Sequence, residues 1–376
     1  MNGFSIEESK YVYGAKIKVI GVGGGGGNMV NHMIREGIEG IDLIVANTDA
    51  QALEHSLAKT KIQLGEKKTK GLGAGMKPDI GRESALESYE EIKSALENSD
   101  IVFIASGFGG GTGTGAAPII AQAAKEVGAL TVSVVTKPFK FEGNRRSDLA
   151  DKGLNELKKE SDSIVVIPND KLLSIIDKRM GIKDSFKIVD DVLSRAVSGM
   201  SLVVLSSGQS DINLDFADVR TIMSHKGMAL MGVGESIGED AAVEAIKSAI
   251  ESPLLDNMSI NGALGVLVHF HIPPTCPLND IGQAMDVVYN SVHSDADVIF
   301  GTTTDETMEE GSVKVTIVAT GFEKKTEEAP KELKTLDSAQ ENFRKERTLR
   351  LRKVSGGYEG QDDYLDIPTY LRHQMD

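Results

Sequence analysis

Lys16–Asn28, KIKVIGVGGGGGN, decides how the chain is read. A β-branched apolar run, typical of a strand buried on both faces, gives way to Gly21-Val-Gly23-Gly24-Gly25-Gly26-Gly27 and then to a helical pattern with Met29, Met33 and Ile34 on one face. Glycines at a strand-to-helix turn let backbone N–H groups approach an anion, and the helix N-terminus adds a favourable dipole. Gly21, Gly23 and Gly26 also satisfy G-x-G-x-x-G, a dinucleotide fingerprint that is weak alone. A tight turn without ligand is the plain alternative.

A second loop, Gly107-Phe-Gly109-Gly110-Gly111-Thr112-Gly113-Thr114-Gly115, follows the apolar run DIVFIAS and again opens a helix. Its threonine hydroxyls can donate to phosphate oxygens beside the backbone N–H groups. A dinucleotide enzyme needs one such loop, whereas two converging on one crevice suit a triphosphate. No G-x-x-x-x-G-K-[ST] occurs, so the phosphates must be held mainly by backbone and hydroxyls.

Around these loops the runs IDLIVAN, LTVSVVT and SIVVIPN alternate with helical patterns such as Arg82–Asn98 and Ala116–Val127. This is the pattern of an α/β, doubly wound, mostly parallel sheet. A long helical pattern over Ser185–Ser206 serves as a spine to a smaller α/β block, Asp215 to Phe322. There the strands GMALMGVG, GALGVLVHFHI, DVIFGTTT and VKVTIVATGF suggest a mixed sheet with hairpin-like closure at the end. The expected segments are an arm over 1–14, a nucleotide-binding domain over 15–180, a central helix over 181–209 and a second domain over 210–322. A charged, disordered linker over 323–361 and a terminal peptide over 362–376 follow. In that peptide Tyr364, Leu365, Ile367, Pro368, Tyr370 and Leu371 read as a docking motif at the end of a solvated tail.

Composition narrows the function. The 376 residues carry 41 Lys+Arg against 56 Asp+Glu, a formal charge of −15, and no Trp, so a nucleic-acid partner is not expected. Cys276 is the only cysteine, which rules out an intrachain disulfide and suits a reducing cytoplasm. No apolar run approaches the ~20 residues of a membrane span, and the first residues lack a signal-peptide core. His269 and His271 share a strand face without a third ligand in view, and read as structural.

The chain resembles the tubulin/FtsZ superfamily from about Ala15 to Phe322 and again in the terminal peptide. The resemblance rests on IKVIGVGGGGGN, ANTDAQAL, GLGAG, GFGGGTGTGAAP, VVTKPFKFEG, IPNDKLL and NLDFADVRTIM, in that order. It implies a GTPase that polymerises head to tail into the cytokinetic ring. It also implies a cytoplasmic protein assembled at the division site on the inner face of the membrane, tethered by adaptor and regulatory division proteins through the terminal peptide. RKERTLRLRK, Arg344–Lys353, could touch anionic lipid, though a solvated linker is its ordinary role.

The resemblance assigns nucleotide contacts to the glycine run with Asn28, to Ala74 and Gly75 of GLGAG, and to Gly109–Gly115. In GLGAGMKP the family usually has small and amide residues where Met76 and Lys77 stand. Glu142 and Arg146 match ribose- and nucleotide-edge contacts, although a run such as KFEGNRRSD is more often an exposed helix start. Asn47 and Asn169 stand at strand C-termini, the binding rim of open α/β sheets. Phe186 and Asp190, four apart, share a helix face. The ring can stack on a purine, and the carboxylate can accept the N1–H and amine of guanine. The spacing is equally met by a core Phe beside a solvated Asp.

For Asn213, Asp215 and Asp218 the residues alone favour helix capping. The family reading makes these the hydrolytic residues, completing the site of the neighbouring subunit. Mg2+ would be carried mainly by the GTP or GDP phosphates, without a protein metal site of its own. An NAD-dependent oxidoreductase has no use for the second loop, and a filament that binds GTP without hydrolysing it is disfavoured by Asp215 and Asp218.

Overall fold

The computed structural model describes residues 15–38, 40–173, 179–205, 216–224, 227–252, 255 and 260–322. The expectations for the N-terminal arm, the linker, the terminal peptide, Asn213 and Asp215 fall outside them. All described residues belong to one compact unit, within Met1–Glu323.

Ten strands form one sheet: β1 Ile17–Val22, β2 Ile41–Asn47, β3 Thr60–Gln63, β4 Ile101–Gly107, β5 Leu130–Lys137, β6 Ser163–Pro168, β7 Gly227–Ile237, β8 Gly265–Ile272, β9 Asp297–Thr304 and β10 Ser312–Thr320. Their order is β3-β2-β1-β4-β5-β6-β7-β10-β8-β9. Every pairing is parallel except those of β10, which lies antiparallel between β7 and β8. The expected hairpin-like closure is therefore not formed. β9 pairs in parallel with β8 alone, and β10 crosses back into the sheet interior, where both its edges are hydrogen-bonded. Almost the whole of SVKVTIVAT is buried, a demand an edge hairpin strand would not meet.

The helices are α1 Gly23–Arg35, α2 Ala50–Glu54, α3 Glu66–Thr69, α4 Pro78–Glu87, α5 Tyr89–Leu96, α6 Thr112–Glu126, α7 Asn144–Glu160, α8 Asn169–Leu172, α9 Ile182–Leu205, α10 Phe216–Met223, α11 Ala241–Ile250 and α12 Leu278–Ser291. The single helical pattern expected over Arg82–Asn98 is broken at Ser88, between α4 and α5. The Ser88 hydroxyl accepts from Gly65 N (3.2 Å) and donates to Gln63 O (3.2 Å), which anchors the break to the end of β3.

Side-chain alternation splits the first half of the sheet cleanly. Ile17, Val19, Ile101 and Phe103 pack with Met29 and Met33 of α1 and Val189, Val192 and Leu193 of α9. On the other face Ile20, Val22, Val102 and Ile104 pack with Ile92 of α5 and Ala116 and Ile120 of α6. The α9 side also takes in Met231, Leu267 and Val318, so the central helix lies under strands from both halves. At 24 residues it is about 36 Å long.

Close approach of α6 to its neighbours depends on small residues. A Cβ on Gly115 would fall 1.9 Å from Pro78 O and 2.8 Å from Arg82 N, both backbone atoms of α4 that cannot rotate away. Gly282, exposed inside α12, has no atom within 4 Å of an added Cβ. We expect Gly115→Ala to lower unfolding free energy by about 3 kcal/mol, at the upper end for overpacking. Gly282→Ala should raise it by about 0.5–1 kcal/mol. Urea unfolding of the two variants separates steric from entropic glycines; a Gly115→Ala protein as stable as the parent would contradict the packing described.

Candidate functional site

The strand order reverses between β1 and β4, the switch point at which open α/β sheets leave a crevice beyond the strand C-termini. A cleft of about 360 Å³ lies there. Its floor is made by the starts of two helices. The expectation of a glycine loop ahead of α1 is corrected: Gly23–Gly27 are already its first residues. Tertiary contact overrides the poor helix propensity of glycine. An added Cβ on Gly26 would lie 2.2 Å from Ala105 O, and one on Gly25 3.2 Å from Gly107 Cα. Only glycines let α1 sit so close to β4.

Neither α1 nor α6 has a side-chain N-cap, so N–H groups of both first turns stay available toward the cleft. Gly24, Gly25 and Asn28 line it from α1, and Gly110, Gly111, Thr112 and Gly113 from the second loop. Open space faces Gly24 and Gly110, where an added Cβ meets nothing within 4 Å. Gly23, with φ +71°, turns the chain from strand to helix.

Other expected residues support this floor without lining it. Gly26, Gly27, Asn47, Ala74, Gly109, Thr114 and Gly115 are absent from the cleft wall. Thr114 is buried, its hydroxyl accepting from Gly109 N (2.9 Å) and holding the loop in shape. Thr112 keeps its place on the wall, with Oγ1 2.6 Å from Thr48 Oγ1. Asn47 Oδ1 accepts from Asp49 N (3.2 Å) and shapes the turn after β2. Ala74 packs behind Gly111, while Gly75 reaches the cleft.

The opposite wall comes from α9 and the segments after β5 and β6. Phe186 and Asp190, on one helix face, both line it together with Val189 and Leu193. Phe139 is buried and meets the Phe186 ring edge-on at 5.6 Å, so Phe186 is braced from one side while staying 40% exposed. Burial pushes the Asp190 carboxyl up to about 6, against the opposing influence of His32 and Arg35. Glu142 lines the cleft beside Arg146, whose guanidinium donates to it, and it also accepts from Phe139 N (2.9 Å). Among the described residues of the wall Arg146 is the only cation, and it is already paired. Asn169, 5% exposed at the start of α8, has an Oδ1 with no hydrogen-bond partner. A buried amide oxygen left this way is costly unless a ligand supplies the donor.

Thr136, Pro138, Val189 and Leu193 line the cleft without having been singled out from sequence. Two signals could have found them: Thr136 and Pro138 stand at the end of β5, and 186, 189, 190 and 193 follow one helix face. Asp218 is exposed in the first turn of α10 and is not on the cleft wall.

The cleft thus lies at the switch point, floored by two uncapped, glycine-rich helix starts and walled by one long helix that leads to a second α/β block. The model of the Tubulin/FtsZ family GTPase domain matches residues 16–177, and that of the FtsZ family C-terminal domain residues 227–323. The cell division protein FtsZ of Helicobacter pylori (strain ATCC 700392 / 26695) is 46% identical over 378 residues, covering 99% of this chain and 96% of its own. An FtsZ dimer from M. jannaschii, solved empty, superposes with TM-score 0.78 at 46% identity over 82% of this chain and 88% of its own. CetZ2 of Haloferax volcanii, solved as a GTPγS-bound protofilament, shares the fold at 20% identity, with TM-score 0.70 over 88% and 99% of the two chains. This chain belongs to the FtsZ family of cell-division GTPases. None of its described helices is long and apolar enough to cross a membrane.

The raised Asp190 carboxyl has a consequence for the nucleotide-free protein. Between about pH 4 and pH 6 the folded state keeps a proton that the unfolded state has lost, so raising pH through that window costs stability. We expect Asp190→Asn to flatten that part of the stability–pH curve and to stabilise the nucleotide-free protein at pH 7. Thermal melts across pH 4–8 give the comparison, and an unchanged slope would contradict the assignment.

Proposed function

We propose that the cleft binds GTP with its triphosphate over the starts of α1 and α6 and its base between Phe186 and Asp190. The observation that carries this is the convergence of two uncapped helix N-termini on one switch-point crevice. Backbone N–H groups, not lysines, hold the phosphates, since the one arginine among the described wall residues is neutralised by Glu142. Asn169 Oδ1 takes a donor from the ribose or base edge. Phe186 stacks on the purine, and Asp190 accepts from guanine N1–H and the exocyclic amine, a pair adenine does not offer.

Mg2+ suits this site as a passenger on the phosphates. Among the described residues of the wall the acids are Glu142, paired with Arg146, and Asp190, at the end assigned to the base, which leaves no carboxylate set there for a protein-held ion. When bound, the ion neutralises charge between the β- and γ-phosphates.

Hydrolysis needs a group to orient water on the γ-phosphate, and among the described residues of the wall the two acids, Glu142 and Asp190, already have other roles in this reading. We assign that role to Asp218, with Asp215 and Asn213, presented by the next subunit in a head-to-tail filament. Support comes from the exposure of Asp218 away from its own subunit's cleft. Water attacks the γ-phosphorus, the bond to the β-bridging oxygen breaks, and GDP and phosphate result. A heterologous contact that does not close gives a filament, here the cytokinetic ring. Tyr364, Leu365, Ile367, Pro368, Tyr370 and Leu371 would dock the adaptors that hold it to the inner face of the membrane.

Phosphate release measured against protein concentration, with GTP and Mg2+, tests this directly. A threshold followed by a steep rise is expected; turnover per chain independent of concentration would sink the shared site. Asp218→Ala should keep GTP binding and lose about 100-fold or more in turnover. Guanine affinity should rise as pH climbs through about 6 and then level off, because Asp190 must shed its proton to accept from the base. Asp190→Asn should remove that pH dependence.

A further inference from the structure

We propose that His32, Glu36 and Asp191 form a binding site for a divalent transition-metal ion of the Zn2+ class, clipping α1 to α9. The site is separate from the nucleotide's Mg2+ and does not depend on the nucleotide reading. His32 and Glu36 are one turn apart at the C-terminal end of α1, and Asp191 faces them from α9.

The geometry suits such an ion. His32 Nε2 lies 3.3 Å from Glu36 Oε1 and 3.5 Å from Asp191 Oδ1. Donors bound tetrahedrally at ~2.0–2.1 Å stand about 3.3 Å from one another. All three donor atoms fall within 4.8 Å of one another, so a small closure of the two carboxylates completes three corners and leaves the fourth to water. One imidazole with two carboxylates suits Zn2+ or its neighbours, whereas Mg2+ prefers oxygen alone. The C-terminal end of a helix also favours a cation.

Each carboxylate is steadied from behind, as metal ligands usually are. Ser194, fully buried, donates to Glu36 Oε2 at 2.9 Å and leaves Oε1 toward His32. Arg195 Nε lies 3.0 Å from Asp191 Oδ2 and 3.1 Å from Oδ1. It can keep Oδ2 while Oδ1 turns to an ion, and its other end already approaches Glu235 at 3.9 Å. Without an ion, the same three groups serve as an ordinary ion-pair cluster around His32.

The position gives the ion a mechanical role. α1 begins at the floor of the cleft, and Asp191 directly follows Asp190 on its wall. An ion at this point fixes the distance between the two.

The test uses untagged full-length protein, stripped of metal by chelation and kept in Mg2+. Zn2+ is titrated by calorimetry and Co2+ by its visible absorption. The expected result is one ion per chain, the visible bands of a low-coordinate nitrogen–oxygen site for Co2+, and a raised Tm with Zn2+. His32→Gln and Asp191→Asn should each weaken binding at least 10-fold, and Ser194→Ala by about 10-fold. His293→Gln, in the exposed His293–Asp295 pair, should leave it unchanged. Circular dichroism identifies any variant that fails to fold, in which case the other ligand variant decides. No stoichiometric binding to the parent protein overturns the proposal, as does an ion whose affinity survives both ligand substitutions.

Discussion

The structure depends on one steric constraint, the closeness with which two helix starts approach the sheet and each other where the strand order reverses. Gly26 sits against the carbonyl of Ala105 in β4, Gly25 against Gly107, and Gly111 against the carbonyl of Gly75. A methyl group at Gly26 or Gly111 would fall about 2.2 Å from a backbone oxygen. These contacts aim two sets of unpaired N–H groups into one crevice and leave Gly24 and Gly110 facing open space. Glycine acts in two ways here: some positions allow the backbone to pack, and others allow a ligand to come near.

The same arrangement answers an electrostatic difficulty. A GTPase with formal charge −15 must accept a polyanion, yet the described residues of the cleft wall include one arginine, and that is paired. Helix starts supply partial positive charge without any cationic side chain. At the other end of the cleft a half-buried carboxylate, Asp190, is pushed up to about 6 by burial. Two polar groups on the wall are thus poorly satisfied: Asp190 is desolvated, and the Asn169 amide oxygen lacks a donor.

Much of this was legible in the chain itself. Strands KIKVIGV, IDLIVAN, DIVFIAS and LTVSVVT are continuous apolar runs, and each forms where its pattern put it. The 186/190 spacing brought Phe186 and Asp190 to one wall because helix periodicity is local. Where nonlocal contacts decide, sequence reading stopped short. The glycine run is helical because β1 and β4 hold it so, against its propensity. The break at Ser88 follows from hydrogen bonds to a segment more than twenty residues earlier. β10 enters between β7 and β8 because its burial demands two neighbours, a fact that a run of apolar residues does not disclose.

By itself the sequence determined the α/β class, the two glycine-rich strand-to-helix turns, and the shared helix face of Phe186 and Asp190, all of which rest on periods of two or 3.6 residues and on the special freedom of glycine. The tertiary structure alone decided which glycines face open space and which face backbone. It also joined the two halves into one sheet, and it brought His32 and Glu36 to Asp191 across more than 150 positions of chain. Such decisions belong to packing, because the distance between residues remote in sequence is set by the order of strands and the closeness of helices, and no local pattern encodes either.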